Sequence, residues 1–348
     1  MDAAGGTSLG GMHEGGHASM RGNAELLVSV LSPWQRMLGV GRGGVALKSV
    51  RQQAPAAAAV RPPRGNLVFC STFESGNLGK VEELVPQSEY DLQIQPDTHN
   101  HRYRVWFYFS VSNVRKKQAV LFNVTNFSKA KSLYREGMTP LVRSTSRSYW
   151  QRVPTKNTFY YKCPRHNMSY ALSFLFEFDL EDDIYYFAYC YPYTYTDLQR
   201  YLHSLDRMQL PFYKRELLCR SMQHRRLDLL IIGEDPRGRP ADSINKPRKV
   251  VCITARVHPG ETPASYMCHG LIEFLTSADA AAKKLRKHVT FVIVPMLNPD
   301  GVFLGNYRTA FCGLDLNRQH ESRSSLRWPG SSQLTVLVCQ GPHRRSRF

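Results

Sequence analysis

A histidine and a glutamate three residues apart are the side chains in this sequence whose spacing first suggests chemistry. His258 and Glu261 lie in the stretch VHPGETPAS, directly after an apolar run. An imidazole nitrogen and a carboxylate oxygen are both good ligands for Zn²⁺, and Pro259 and Gly260 would turn the chain so that the two converge. Such a stretch is also common in ordinary turns with solvated side chains, so alone it leaves both interpretations open.

Three further polar side chains follow later in the chain and strengthen the metal interpretation. The stretch VPMLNPDGVFLGNYR ends an apolar run in a Pro-Asp-Gly turn and supplies Arg308, and GLDLNRQ then supplies Asn317 and Arg318. A hydrolase that acts at a peptide C-terminus needs a metal for the scissile carbonyl and a cation for the developing oxyanion. It also needs donors that grip the terminal carboxylate. These residue types fit that chemistry.

The elements that must position these side chains are predicted to form the start of an α/β domain over residues 227–318. LDLLIIG, KVVCITARV and VTFVIVP are near-continuous aliphatic runs, as in strands covered on both faces. PASYMCHGLIEFL is predicted as a helix with Thr262 as its cap and Pro263 at its first position. Open α/β sheets bind ligands beyond the carboxyl ends of their strands. The domain is shorter than a typical layered core, so we expect it to be incomplete.

Residues 66–195 show a different pattern, with short segments of period two. EYDLQIQ places Tyr90, Leu92 and Ile94 on one face, and YRVWFYFSV alternates in the same way. AVLFNVTNF, YALSFLFEF and IYYFAYCYPY continue the series with turn residues between them. Several short strands without intervening helices predict an antiparallel β-sandwich.

The segment between the two predicted domains, residues 196–226, is predicted to be a helical connection. Thr196 and Asp197 are candidate caps, Pro211 interrupts the pattern, and RELLCRSMQHRR then resumes it.

The two ends of the chain differ in composition from its centre. Residues 1–65 are rich in Gly and Ala and are predicted to be a disordered tail, although their arginines also loosely fit a mitochondrial transit segment. Residues 319–348 turn to Arg, Ser and Gly and are predicted to be a divergent basic tail.

The composition excludes several classes of protein. A hydrophobic content of 42% is enough for packed cores, so the chain is not wholly disordered, and the net charge of +18 should attract anions. The apolar runs are too short to cross a bilayer, so we expect no membrane partner. No helix-turn-helix, zinc-finger or RNP pattern is present, so we expect no specific nucleic-acid partner. Eight scattered cysteines without a C-x-x-C pair favour reduced, buried thiols in an intracellular protein.

Three motifs in order, HPGET, NPDGVFLGNYR and LDLNR, resemble the zinc carboxypeptidases, specifically the cytosolic carboxypeptidases that remove glutamates from tubulin. Upstream, FESGNLG, NFSKAKSLYREGM, STSRSYWQR and FAYCYPYTYT resemble the N-terminal β-sandwich of that family. The resemblance covers residues 66–318. It implies an α+β two-domain fold, in which an antiparallel β-sandwich precedes an incomplete α/β metallocarboxypeptidase domain.

The resemblance also implies a role for each candidate residue. His258 and Glu261 correspond to the first two zinc ligands, and Arg308 to the arginine that stabilises the oxyanion. Asn317 and Arg318 correspond to the clamp on the substrate α-carboxylate.

The family further requires a third ligand, which is a histidine on a later strand, and a still later glutamate as general base. After Arg318 the candidates of those types are His320, Glu321 and His343, and none has a suitable context. Two ligands hold zinc less tightly than three, so we expect the chain as given to be impaired in catalysis. A C-terminal end altered by splicing or by gene prediction would explain the change in character after Arg318.

The function that the resemblance implies is zinc-dependent removal of glutamates from acidic or polyglutamylated protein tails, such as those of tubulin. It places the protein in the cytosol, in association with microtubules. The alternative is a non-catalytic protein that binds microtubules or a partner through its β-sandwich and basic surface.

Overall fold

A computed structural model of the chain describes residues 62–234 and 249–318. In chain order, the strands are β1 Val68–Cys70, β2 Val81–Val85, β3 Glu89–Leu92, β4 Tyr108–Ser112, β5 Ala119–Phe127, β6 Leu141–Ser144, β7 Gln151–Arg152, β8 Thr158–Cys163, β9 Ser169–Glu177, β10 Tyr185–Ala188, β11 Tyr213–Arg220, β12 Arg226–Ile232, β13 Lys249–Thr254 and β14 Val289–Val294. The α-helices are α1 Tyr195–Arg207, α2 Pro263–Thr276, α3 Ala280–His288 and α4 Pro299–Phe303. Short 3₁₀ turns occur at Leu133–Glu136, Thr155–Asn157, Pro164–His166 and Leu316–Arg318.

The predictions made for the two chain ends concern residues that the structure does not describe, apart from 62–65. His320, Glu321 and His343 also lie outside the described residues.

Two five-stranded sheets form the N-terminal β-sandwich, with strand orders β1-β4-β10-β6-β7 and β2-β3-β5-β9-β8. Their inner faces meet in an aromatic core that includes Phe107, Phe109, Phe122, Phe174 and Phe187, all fully buried. The predicted sandwich is therefore confirmed. It is not purely antiparallel, because β3 and β5 pair in parallel. Strand β4, which separates them in sequence, lies in the opposite sheet, so the chain crosses over and returns in the same direction.

The predicted alternation holds for one segment and fails for another. Tyr90, Leu92 and Ile94 are all buried, as expected. In YRVWFYFSV the strand begins only at Tyr108, and Trp106 and Tyr108 are buried as well as their neighbours. The outer face of β4 is covered by a second layer of aromatic rings, contributed by Phe73, Trp150 and Tyr186. A strand covered on both faces does not alternate between buried and exposed residues.

The second domain is built on a four-stranded sheet of order β11-β12-β14-β13. Only β13 and β14 are parallel; β12 is antiparallel to both of its neighbours. The core contains Leu202 from α1, Ile272 from α2, and Leu230 and Ile293 from the sheet. The prediction of strands covered on both faces holds for β12 and β14 but is wrong for β13, where Val250 is 63% exposed. Among the described residues β13 forms the edge of the sheet.

The predicted helical connection is only half correct. Helix α1 exists, but its N-cap is Thr194, which forms a capping box with Asp197, so Thr196 is not the cap. RELLCRSMQHRR is not a helix: its first part is β11, which pairs with β12, and a turn at Ser221–Arg225 joins the two strands. Pairing with a neighbouring strand overrides the modest helix propensity of the segment.

Hydrogen bonds join the β-sandwich to the end of α4. The Ser75 backbone N–H donates to the Phe303 carbonyl at 2.8 Å, and the Asn77 side-chain amide donates to the Gly305 carbonyl at 3.0 Å. Gly305 has a φ of 73°, and a Cβ there would lie 2.5 Å from the Gly76 carbonyl oxygen. Only glycine fits such a close approach at positive φ. The turn after α4, which precedes Arg308, is therefore held against the sandwich.

Two predictions from composition concern membranes and thiols. Within the two described ranges, no helix has both the length and the apolar character that a membrane span requires. Of the seven cysteines in these ranges, only Cys163, Cys219 and Cys268 are buried. The prediction of buried thiols is therefore wrong for the other four, of which Cys70 and Cys252 are exposed.

Candidate functional site

The loop after β13 that carries the first motif is organised by a buried arginine. Arg256 is 3% exposed and has a φ of 57°. Its Nε donates to the Pro259 carbonyl at 2.7 Å, and its Nη1 donates to the Tyr193 carbonyl at 3.1 Å and to Ser265 Oγ at 2.8 Å. Burial lowers the pKa of Arg256 to about 10, so it remains a cation at neutral pH. The guanidinium therefore ties the loop to the start of α2 and to the segment before α1.

His258 and Glu261 converge, as their spacing predicts. His258 Nδ1 lies 2.9 Å from Glu261 Oε1. The His258 side chain is 7% exposed, whereas that of Glu261 is 51% exposed. The hydrogen bond with His258 lowers the pKa of Glu261, and the positive charges of Arg308 and Lys129 act in the same direction. Glu261 is thus an ionised carboxylate at neutral pH, beside an imidazole that is almost enclosed.

Asp315 links the two motifs and was missed by sequence reasoning. Its Oδ1 lies 3.1 Å from His258 Nε2, and its Oδ2 accepts a hydrogen bond from Arg308 Nε at 2.6 Å. Desolvation opposes ionisation of Asp315, but the hydrogen bonds and charges of Arg308 and His258 outweigh it and lower the pKa. The only signal in the sequence was its place in LDLNR, two residues before Asn317.

Asn317 and Arg318 lie close to Asp315 but face solvent. They form the end of the 3₁₀ turn Leu316–Arg318, and the Asn317 N–H donates to Asp315 Oδ1 at 3.0 Å. Both residues are exposed. Among the described residues, neither side chain forms a hydrogen bond or an ion pair with His258 or Glu261. The structure thus joins His258, Glu261 and Arg308 through Asp315 and leaves the other two at the rim.

The predicted Pro-Asp-Gly turn is instead the short helix α4. Asn298 caps it by accepting a hydrogen bond from Gly301 N–H at 3.0 Å, and Pro299 occupies its first turn. Asp300 is buried and pairs with Arg225 at 2.8 Å. A helix, rather than an open turn, therefore delivers the chain to Arg308.

The donor set fits half of a zinc site. Donor atoms that share one zinc ion at about 2 Å each lie roughly 3 Å apart, close to the observed separation of His258 Nδ1 and Glu261 Oε1. The contact of Asp315 with Nε2 leaves Nδ1 as the nitrogen that can face a metal, as outer carboxylates commonly do. Over the described ranges 62–234 and 249–318, no group of three or more His, Cys, Asp or Glu side chains could hold a metal ion.

Comparison with known proteins agrees with this geometry. Residues 69–190 match the family model of the cytosolic carboxypeptidase N-terminal domain, and residues 198–346 match that of zinc carboxypeptidase. Cytosolic carboxypeptidase 6 of Mus musculus is 52% identical over 291 residues, which cover 83% of this chain and 53% of that protein. The chain belongs to the cytosolic carboxypeptidase family. The resemblance inferred from the motifs is thereby confirmed.

A second cytosolic carboxypeptidase and a solved metallo-carboxypeptidase structure are also similar to this chain. Cytosolic carboxypeptidase 2 of Xenopus tropicalis is 42% identical over 269 residues, or 74% of this chain and 27% of that protein. A metallo-carboxypeptidase from Burkholderia cenocepacia superposes with a TM-score of 0.64 at 26% identity, covering 79% of this chain and 68% of that one. The fold is therefore a β-rich N-terminal domain followed by a carboxypeptidase-like α/β domain.

The extents of these matches bear on the domain boundaries. This cytosolic carboxypeptidase-family chain spans just over half the length of cytosolic carboxypeptidase 6 from Mus musculus and Homo sapiens. The zinc carboxypeptidase match begins at residue 198 and continues to 346, beyond the resemblance seen in the motifs. The pairing of β11 with β12 likewise places the segment Tyr213–Arg220 of the predicted connection in the sheet of the second domain.

Proposed function

We propose that this chain has the architecture of a zinc metallocarboxypeptidase that acts in the cytosol on acidic protein tails, such as the polyglutamylated tails of tubulin. One observation carries the proposal: Asp315 binds both His258 and Arg308, while His258 faces Glu261. A metal ligand pair and a cation for carbonyl chemistry are thus joined in one hydrogen-bonded unit.

His258 and Glu261 are the residues that would hold the zinc ion, through Nδ1 and the carboxylate. Zinc bound there would supply a Lewis acid for the scissile carbonyl. Asp315 orients the imidazole and neutralises part of the charge of Arg308. Arg308, 18% exposed at its side chain, presents the rest of its guanidinium to a substrate oxygen that gains negative charge.

Asn317 and Arg318 would grip the terminal carboxylate of the substrate. Arg318 forms no ion pair with any other described residue, and its guanidinium can donate two parallel hydrogen bonds to one carboxylate. Asn317 adds an amide donor at the adjacent position. Their exposure is what a clamp that receives a ligand from solvent requires.

A preference for acidic chains is supported by a further cation near the site. The Lys129 ammonium contacts the Tyr307 hydroxyl and lies 4.4 Å from the centroid of the Tyr307 ring. In the described ranges it has no carboxylate partner, and its charge is felt at Glu261. With Arg308 and Arg318, it makes the surroundings of the site positive, which attracts glutamate side chains.

We expect binding of such tails to exceed turnover. The third metal ligand and the general base that the resemblance implies have no counterpart among the described residues that contact His258, Glu261 or Arg308. A site with two protein ligands binds zinc weakly and has no positioned proton acceptor.

The test uses the purified chain with a synthetic peptide that ends in several glutamates and with polyglutamylated tubulin. Bound zinc, peptide affinity and released glutamate are measured with and without a chelator, for wild type, His258→Ala and the exposed control His203→Ala. We expect weak zinc binding that is lost in His258→Ala only, and peptide binding that clearly exceeds any chelator-sensitive glutamate release; efficient chelator-sensitive release would contradict the expected impairment. Absence of zinc, together with tubulin binding unaffected by His258→Ala, would instead support the non-catalytic alternative.

A further inference from the structure

A loop of the β-sandwich encloses the segment of the second domain that carries Arg308. The loop, residues 95–104, joins β3 to β4. At one end of the segment, Thr98 donates through its N–H and its hydroxyl to Asn306 Oδ1, at 3.1 and 3.0 Å. At the other end, the Asn100 amide donates to the Gly313 carbonyl at 2.8 Å. The sandwich thus contacts residues 306–313 on both sides of Arg308.

Asp97 occupies the centre of this contact. Its Oδ1 accepts a hydrogen bond from Tyr307 N–H at 2.6 Å, and its Oδ2 accepts from the N–H groups of Arg308 and Thr309, each at 2.8 Å. The Thr309 hydroxyl adds a fourth bond at 3.1 Å. Three successive backbone N–H groups therefore converge on one carboxylate, an arrangement that favours a bound anion.

The burial of Asp97 makes these contacts strong. The residue is 3% exposed, and it forms no ion pair with any described side chain. Burial raises its pKa, while the hydrogen bonds from Tyr307, Thr309 and Arg308 favour the charged form. A buried carboxylate without a cation depends on its hydrogen-bond donors, so movement of the segment would leave the charge uncompensated.

Arg308 is consequently held at both ends by carboxylates from different parts of the chain. Asp97, from the sandwich, holds its backbone, and Asp315, from the second domain, holds its guanidinium. A shift of the backbone would move the guanidinium away from Asp315, which also contacts His258.

We propose that Asp97 is a positioning residue of the candidate site, through which the β-sandwich sets the location of Arg308. The consequence for peptide binding rests on the function proposed above, whereas the consequence for the backbone at 307–309 does not. The sandwich is then part of the site's construction, not a separate accessory domain.

The test compares Asp97→Asn with Asp91→Asn in the full chain. Asp91 is also buried in the sandwich, at 7% exposure, but it binds Asn123 and His166 on the outer sheet face. Amide hydrogen exchange is measured for residues 307–309, and the affinity for a peptide ending in glutamate is measured by fluorescence anisotropy. The affinity measurements for both variants are repeated in an Arg308→Ala background.

We expect Asp97→Asn to speed exchange at 307–309 by about tenfold or more, since charge-assisted bonds are lost. Peptide affinity should fall by about 10- to 100-fold, as for other residues that orient a site. Because Asp97 acts through Arg308, the loss of affinity should largely vanish in the Arg308→Ala background. Asp91→Asn should change neither property. Thr309→Val, which removes one hydrogen bond to Asp97, should change both properties in the same direction but more weakly. It replaces Asp97→Asn in the test if that variant does not fold.

Three results would overturn the proposal: unchanged exchange at 307–309 in both Asp97→Asn and Thr309→Val, an equal acceleration in Asp91→Asn, or an equal loss of affinity with and without Arg308. If the wild-type chain binds no such peptide, the proposed function fails, and hydrogen exchange alone decides the role of Asp97.

Discussion

Replacing Arg256 by lysine should destabilise the chain and loosen the loop that carries His258 and Glu261, without removing a candidate ligand. The guanidinium reaches three acceptors from two nitrogens, over distances of 2.7 to 3.1 Å. A lysine ammonium is a single point donor, so we expect it to keep one of these bonds and lose two. Hydrogen bonds from charged groups contribute about 1.5–3 kcal/mol each. Burial of an ammonium costs no less than burial of a guanidinium, so the substitution recovers nothing from desolvation. We therefore expect the free energy of unfolding to fall by about 3–5 kcal/mol.

The assay is denaturant unfolding followed by tryptophan fluorescence, combined with zinc affinity measured against a chelating dye. Arg64→Lys makes the same chemical change at an exposed ion pair with Asp182, where the side chain is 45% exposed, and should alter stability by at most about 1 kcal/mol. Zinc affinity should fall about 10- to 100-fold in Arg256→Lys, because the Pro259 carbonyl is released beside His258. Equal stability losses in the two variants, or unaltered zinc affinity in a destabilised Arg256→Lys, would refute this account.

Three further predictions each concern the surroundings of one residue. In Gly260→Ala the new Cβ would lie 2.4 Å from Tyr307 Cδ2 and 2.9 Å from its carbonyl oxygen, so Tyr307 must move with its neighbour Arg308; we expect peptide affinity, measured by anisotropy, to fall about tenfold or more. Desolvation opposes ionisation of Asp183, but hydrogen bonds from neighbouring hydroxyls outweigh it and lower the pKa from 3.8 to about 2. Because the pKa is lower in the folded state than in the unfolded state, the ionised carboxylate stabilises the fold above the unfolded-state pKa, and this stabilisation is lost as the pH falls. Asp183→Asn should therefore flatten the decline in melting temperature between about pH 4 and 2. Burial raises the pKa of the Cys268 thiol to about 12, so iodoacetamide at pH 8 should alkylate it slowly, as followed by mass spectrometry.

Each of these three has an internal comparison. Gly270→Ala is the control for the glycine change, because a Cβ there meets nothing within 4 Å, and equal effects at the two glycines would contradict the steric argument. If the melting temperature of Asp183→Asn falls between pH 4 and 2 as steeply as that of wild type, Asp183 does not contribute to the pH dependence. Cys70 is exposed and should react first; similar rates at Cys70 and Cys268 would show that the latter is accessible.

The prediction of strands was accurate where a segment has one covered face and poor where neighbours decide. Tyr90, Leu92 and Ile94 are buried together, as expected, because they lie on one face of β3 and its extension; Asp91, on the other face, is also buried. The stretch that forms β11 has no such local signal. Its conformation depends on pairing with β12, an interaction that residue periodicity does not encode.

The candidate site divides in the same way. His258 and Glu261 are three residues apart, so their convergence follows from one turn that the sequence itself specifies, and the motifs around them were enough to identify the family. Asp315 reaches His258 across 57 positions, and Asp97 reaches Tyr307 across 210. Such contacts exist only once distant segments are packed together, because chain folding, not spacing, brings the partners within hydrogen-bond distance. The sequence by itself therefore indicated the kind of chemistry and two candidate ligands. Only the tertiary structure decided what holds Arg308 in place, because Asp97, which binds its backbone N–H, lies 211 positions away in the β-sandwich.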